Sequence, residues 1–251
     1  MKLKEKVAVV TGGNQGIGRA IALALKQHEA EVVVADLALN NLETEYGNLI
    51  GIKTDVTSKE DIEKLVNEVL KRFGKIDIFV NNAGISSIGR IWEISDEDFE
   101  RNLAVNTKGV FMCMKAVTPI MMKQGSGSII NIASRAGKVA VEFQGHYGAT
   151  KAAVILLTRN FANELAPFGI RVNAICPGKV DTGMIRGEWE KEVSLRGKSV
   201  EEIEKDVISQ IPMRRLVQPE DVANVAVFLA SDYSSAMTGQ AINVSCGLEM
   251  R

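Results

Sequence analysis

Long apolar runs are missing from this 251-residue chain, and so is an excess of charge of either sign. No uninterrupted hydrophobic stretch reaches the length of a membrane span. Met1 to Lys6 lacks the apolar segment of a secretory leader, so the chain is expected to stay in the cytoplasm, away from any membrane. With 30 basic against 31 acidic side chains, it has no electrostatic footprint for nucleic acid or an anionic surface. Cysteine and histidine are equally sparse. Three widely spaced cysteines, Cys113, Cys176 and Cys246, and two histidines suit neither a disulfide framework nor a zinc site. The cysteines are read as reduced, buried small hydrophobes, and no metal is expected. Internal repeats and low-complexity segments are also absent. The last predicted strand, Ala241 to Val244, leaves no room for a second domain, so one domain over residues 1–251 is expected.

What is present is an alternation of short apolar runs and helical patterns. Val7 to Val10 ends in Thr11-Gly12-Gly13-Asn14-Gln15-Gly16-Ile17-Gly18, and Ile21 and Leu25 continue with helical spacing. This reads as strand, glycine turn and helix, a place where backbone approaches a pyrophosphate at the positive end of a helix dipole. Its G-x-x-x-G-x-G spacing meets the usual dinucleotide fingerprint only loosely. A second strand, Glu31 to Asp36, ends in an acid 18 residues after Gly18, close to the separation at which a carboxylate takes the adenosine ribose hydroxyls. The same charge repels a 2′-phosphate. No Arg or Lys lies at Asn14-Gln15 or directly after Asp36, so NAD is expected in preference to NADP. Strands at Leu49 to Ile52 and Ile76 to Val80 flank an amphipathic helix carrying Ile62, Leu65, Val66, Val69, Leu70 and Phe73. Thr57 and Glu60 stand at capping-box spacing before it. Asn81-Asn82-Ala83-Gly84 then places small residues at the end of a strand.

Ser95 and Asp98 open a helix whose buried face is expected to be Phe99, Leu103, Asn106, Val110, Cys113 and Val117. Asn106 is the polar member of that stripe. It either ties its helix to a neighbour or holds a water near reacting groups. Ser128 to Ile132 and Arg171 to Ile175 are further strands. The charged stretch from Gly187 to Ser209 is expected to belong to a lid over about 182–215, with Trp189 either covering a substrate or packed on the body. Pro219 to Asp221 starts a helix that is apolar all round as far as Ala230, which suggests burial against another subunit.

The chain is organised around Ser134 to Lys151. On a helix Tyr147 and Lys151 share one face, so the ammonium favours the phenolate. Bringing a phenol from about 10 to about 7 requires roughly 4 kcal/mol, more than one solvated ammonium usually supplies. A second cation or a dry pocket is required.

Taken in order, Thr11-Gly12-x-x-x-Gly16-Ile17-Gly18, Asn81-Asn82-Ala83-Gly84, Asn106, Ser134, Tyr147-x-x-x-Lys151 and Pro177-Gly178 resemble the short-chain dehydrogenase/reductase family along essentially the whole chain. The resemblance implies an α/β Rossmann fold, a doubly wound parallel sheet of seven strands with helices on both faces. It implies that Tyr147 is the general acid/base, that Ser134 hydrogen-bonds the substrate oxygen, and that Asn106 supports a relay water. Lys151 would hold the nicotinamide ribose and lower the tyrosine pKa. The cofactor set it implies is Gly12, Asn14, Gln15, Gly16, Ile17, Asp36, Leu37, Asp55, Val56, Asn82, Ala83, Gly84, Pro177, Gly178, Val180 and Thr182, with Tyr147 and Lys151.

Within the family the chain is most similar to NAD-dependent polyol, sugar-alcohol and diol dehydrogenases. That implies a small alcohol or ketone substrate and a homo-oligomer, a tetramer or dimer. The alternatives are a 3-oxoacyl-thioester reductase and a non-catalytic dinucleotide sensor. Candidate substrate contacts are Ser86, Ser87, Arg135, Lys138, Glu142, His146, Lys179, Met184, Ile185 and Trp189. The chain departs from the family pattern at His146, at Gly148 and at Val244-Ser245-Cys246-Gly247.

Overall fold

The computed structural model describes residues 3–40, 42–45 and 47–250. Seven parallel strands form one sheet in the order 3-2-1-4-5-6-7: β1 (Val7–Thr11), β2 (Glu31–Asp36), β3 (Ile50–Lys53), β4 (Ile78–Asn81), β5 (Gly127–Ile132), β6 (Ile170–Pro177) and β7 (Ala241–Val244). The order reverses between β1 and β4. That reversal leaves a crevice at the carboxyl ends of the strands, where α/β sheets bind ligands. Side chains alternate between two cores, Val7 and Val9 on one face of β1 and Ala8 and Val10 on the other. The first core receives α2 (Lys59–Phe73), α4 (Val110–Gln124) and α5 (Gly145–Leu165). The second receives α1 (Gly16–Gln27) and α8 (Pro219–Ala230).

Local chemistry sets the element ends. Ser58, rather than Thr57, caps α2 by accepting from Asp61 N at 3.1 Å, because Thr57 Oγ1 is engaged with Asp55 Oδ1 at 2.7 Å. Ser95 caps α3 (Asp96–Leu103) through Asp98 N, as its spacing suggests.

The stripe expected along Phe99 to Val117 is broken. A π-helical turn over Ala104–Gly109 inserts a residue between α3 and α4 and rotates the two halves out of phase. Phe99 and Leu103 are therefore 41% exposed, while Asn102, Asn106, Val110, Cys113 and Val117 are buried. On the apolar helix α8, Val222, Ala223, Ala226, Val227, Leu229 and Ala230 are buried against α1 and the sheet within the same chain, while Val225 and Phe228 are only partly buried. Of the cysteines, Cys113 and Cys176 are buried and free, whereas Cys246 is free but half-buried in the turn after β7.

The charged stretch after β6 folds into α6 (Gly183–Arg196) and α7 (Val200–Gln210). These close a third small core of Ile185, Trp189, Ile203, Ile211 and Leu216. No helix among the described residues is long and apolar enough to cross a membrane.

Candidate active site

A cleft of about 1150 Å³ runs over the carboxyl ends of the strands. Gly12, Gln15, Gly16 and Ile17 line it after β1, Asp36 and Leu37 after β2, and Asp55 and Val56 after β3. Asn82, Ala83 and Gly84 follow β4, Ser134 and Arg135 follow β5, and Pro177, Gly178, Lys179, Val180, Thr182, Met184 and Ile185 follow β6. Tyr147 and Lys151 enter from the first turns of α5.

The glycine turn is packed hard against the end of β4. A Cβ at Gly18 would lie 2.1 Å from Gly12 O and 2.3 Å from Asn82 Nδ2, so no larger residue fits without moving backbone. Asn82 Nδ2 holds the turn by donating to Thr11 O at 3.0 Å and Gly12 O at 2.9 Å. Asp36 Oδ2 accepts from Asn14 N at 3.0 Å, which keeps that carboxylate at the mouth of the crevice. Asn14 itself does not line the cleft; its side chain accepts from Asn40 N at 2.9 Å. A bare-backbone turn at a helix start, an acid one strand away and an elongated crevice between them fit a dinucleotide.

At the inner end, Lys151 Nζ donates to Ile132 O at 2.8 Å and lies 5.7 Å from the centre of the Tyr147 ring. Burial raises the Tyr147 phenol above its ordinary range, and the nearby Glu188 charge acts in the same direction, while a hydrogen bond with Ser134 opposes both. Burial also lowers Lys151 to about 8. The pair by itself therefore favours a neutral phenol, which sharpens the need for a second positive charge. Asn106 is fully buried. Its Oδ1 accepts from Ile85 N at 2.9 Å, and its Nδ2 donates to Ile85 O at 2.9 Å and Thr150 Oγ1 at 3.2 Å. The side chain thus ties the π-turn to the loop after β4 and to α5.

Several candidate substrate contacts lie elsewhere. Trp189 is 0% exposed and belongs to the third core, where it packs with Ile203, Ile211 and Leu216 rather than facing the cleft. Glu142 is exposed and pairs with Arg196 at 2.8 Å. His146 is buried in α5, its Nε2 2.6 Å from Ser87 Oγ, and that hydroxyl also accepts from Asn102 at 3.0 Å. His146 and Ser87 therefore serve a network behind the cleft wall. Lys138 reaches away to Ala241 O at 2.7 Å. At Gly148 a Cβ would lie 2.6 Å from Ala136 O, so the tight contact between α5 and the loop after Ser134 accounts for glycine.

The sequence reading missed Gln144 and Glu188, both buried and both lining the cleft. Met184, Glu188 and Lys191 recur at intervals of four and three and all line it. That helical stripe was the available signal, masked by the surrounding charge.

A family model described as Enoyl-(Acyl carrier protein) reductase matches residues 12–249. The chain is 38% identical to the 3-oxoacyl-[acyl-carrier-protein] reductase FabG of Thermotoga maritima, over 99% of each chain. Among solved structures, the aldohexose dehydrogenase of Thermoplasma acidophilum in ligand-free form superposes with a TM-score of 0.91 at 33% identity, covering 99% of this chain and 96% of that one. Actinorhodin polyketide ketoreductase with NADPH superposes with a TM-score of 0.93 at 37% identity, covering 97% of each. The chain belongs to the short-chain dehydrogenase/reductase family, oxidoreductases that use a nicotinamide dinucleotide on CH–OH and keto groups.

Proposed function

We propose that the protein interconverts a secondary alcohol and its ketone with NAD(H), the alcohol being a polyol, sugar alcohol, sugar or diol. The observation that carries the chemistry is the meeting of Tyr147, Ser134 and Lys151 at the inner end of one cleft whose outer end holds Asp36. The bound dinucleotide supplies the hydride acceptor or donor and, when oxidised, a positive charge beside Tyr147. In oxidation the Tyr147 oxygen takes the hydroxyl proton; in reduction it returns a proton to the carbonyl oxygen. Ser134 Oγ hydrogen-bonds the substrate oxygen and keeps it near the phenol. Lys151, anchored on Ile132 O, favours the phenolate and holds the ribose. Asn106 fixes the π-turn that places the relay water beside Lys151. Thr182, at the start of α6, holds the carboxamide, and Asp55 and Val56 flank the adenine. Helices α6 and α7 form the lid.

Asp36 supports NAD. Arg19 donates to Glu43 O and lies in a neighbouring pocket with Leu39 and Leu42, outside this cleft. Repulsion of a 2′-phosphate by Asp36 is worth on the order of 2–3 kcal/mol, so kcat/KM with NAD should exceed that with NADP roughly 100-fold. Asp36→Ala should bring the ratio within about tenfold. Initial rates with both dinucleotides test this, and a wild-type preference for NADP would overturn it.

The second reading is reduction of a 3-oxoacyl thioester. The names of the curated relatives favour it more than the polyol reading, while Asp36 and the polar side chains of Ser86, Gln144, Lys179 and Glu188 in the cleft favour the first.

A homo-oligomer, tetramer or dimer, is the third part of the proposal. Phe99, Leu103, Phe111 and Leu156 on α3, α4 and α5 remain exposed, and the π-turn is what rotates the first two outward. Sedimentation velocity at micromolar concentration should show a dimer or larger; a stable monomer would exclude it.

A further inference from the structure

Among the polar side chains of the cleft with no part in the proton and hydride chemistry are Ser86, Gln144, Lys179 and Glu188. They come from four separate segments, the loop after β4, the residue before α5, the loop after β6, and α6. Glu188 is only 8% exposed. Its Oε2 accepts from Gln144 Nε2 at 2.9 Å and lies 3.8 Å from Lys179 Nζ. Both contacts fall on the same oxygen, which leaves Oε1 for another donor. Burial raises the Glu188 carboxyl above the usual carboxylate range, while Lys179, Ser86 and Gln144 favour its ionised form; Ser86 Oγ is buried in the same wall. The carboxylate also stands near enough to Tyr147 to oppose ionisation of the phenol, so the cluster borders the reacting end of the cleft.

A desolvated carboxylate is costly unless its oxygens are hydrogen-bonded. A tie between α6 and the body of the protein would spread its donors over both oxygens; here Gln144 and Lys179 share Oε2. We propose that Ser86, Gln144, Lys179 and Glu188 form a hydroxyl-recognition subsite, in which Glu188 Oε1 accepts a hydrogen bond from a substrate hydroxyl beside the carbon that reacts. Ser86 supports Glu188 from within the wall, and Lys179 donates to the oxygen of the same or the next hydroxyl. The occupant is a polyhydroxylated alcohol or sugar. An ammonium-bearing substrate fits poorly, because Lys179 already balances the charge of Glu188. An acyl chain fits worse, because its methylenes would cover Oε1 without offering a donor. This inference rests on the alcohol–ketone reading and names the groups that select its substrate.

The test compares kcat/KM for glycerol, xylitol, sorbitol and glucose with that for cyclohexanol and isopropanol, using the whole protein and NAD. Acetoacetyl-coenzyme A with the reduced dinucleotides is the thioester probe. A site built to hydrogen-bond hydroxyls should favour its best hydroxyl-rich alcohol by about 10³-fold or more. Glu188→Leu should reduce that ratio at least ~100-fold, mainly through KM of the hydroxyl-rich alcohol, and Glu188→Gln by roughly tenfold. Dinucleotide titration and thermal melting establish that the variants are folded; if Glu188→Leu is not, Glu188→Gln and Gln144→Leu carry the same comparison. An unchanged ratio in the folded variants would reduce the cluster to a structural tie and overturn the subsite. Acetoacetyl-coenzyme A reduced better than any hydroxyl-rich probe is used would overturn the subsite and leave the alcohol–ketone chemistry standing. No turnover of any probe with either dinucleotide would overturn both.

Discussion

Tyr147→Phe should lower kcat about 10³-fold or more while the dinucleotide still binds with a Kd within about threefold of the wild type. The substitution removes one oxygen and keeps the ring that stands 5.7 Å from Lys151 Nζ, so the packing of α5 against the cleft is retained. What disappears is the atom proposed to exchange a proton with the substrate. The pH dependence provides a second readout. Oxidation needs the phenolate, so its rate should fall as pH falls through the apparent pKa of the complex. Reduction needs the phenol, so its rate should fall as pH rises through the same value. Without dinucleotide, burial and Glu188 hold the Tyr147 phenol above its ordinary range, and Lys151 at about 8 loses its charge before the phenol does. The inflection should therefore move to lower pH when oxidised dinucleotide binds, and it should be missing from Tyr147→Phe. Turnover near that of the wild type in this variant would exclude Tyr147 as the acid/base.

Gly18→Ala should destabilise the protein by about 3 kcal/mol, a fall of roughly 10 °C in Tm, and abolish dinucleotide binding at millimolar concentration. A Cβ there would meet Gly12 O at 2.1 Å and Asn82 Nδ2 at 2.3 Å. Neither atom can yield cheaply. Gly12 O is backbone of the turn, and Asn82 Nδ2 is the donor that holds Thr11 O and Gly12 O in place. Relief of the overlap would displace the turn or break those bonds, and either change removes the surface proposed to receive the phosphates. Gly187→Ala is the matched control. It lies inside α6 with nothing within 4 Å of the added Cβ, so it should leave Tm unchanged or raise it through helix propensity alone. Equal Tm values for Gly18→Ala and the wild type, by calorimetry, would show that the turn adapts and that the glycine is not needed for close packing.

The broken stripe and the burial of Trp189 have one cause each. The stripe from Phe99 to Val117 fits a single uninterrupted helix by its intervals of three and four, yet the π-turn at Ala104–Gly109 leaves no mark in those intervals. It exists because Asn106 finds partners on Ile85 and Thr150, groups supplied by distant parts of the chain. Trp189 sits on a charged helix, and nothing within α6 shows whether an aromatic there faces the cleft or α7. The packing of Ile203, Ile211 and Leu216 decides for α7.

The order of strands and helices, the glycine turn, Asp36 at the end of β2 and the Tyr147–Lys151 face were all legible in the chain, because each depends on spacing within a few residues. So was the family, because its motifs recur in fixed order. Tertiary structure alone decided which side chains meet from separate segments. It gathered Ser86, Gln144, Lys179 and Glu188 into one wall and withdrew His146, Glu142 and Trp189 from it. Local spacing carries the period of an element. The direction in which an element faces is set by burial and hydrogen bonding among groups far apart in sequence, and in this protein those determine which side chains line the cleft.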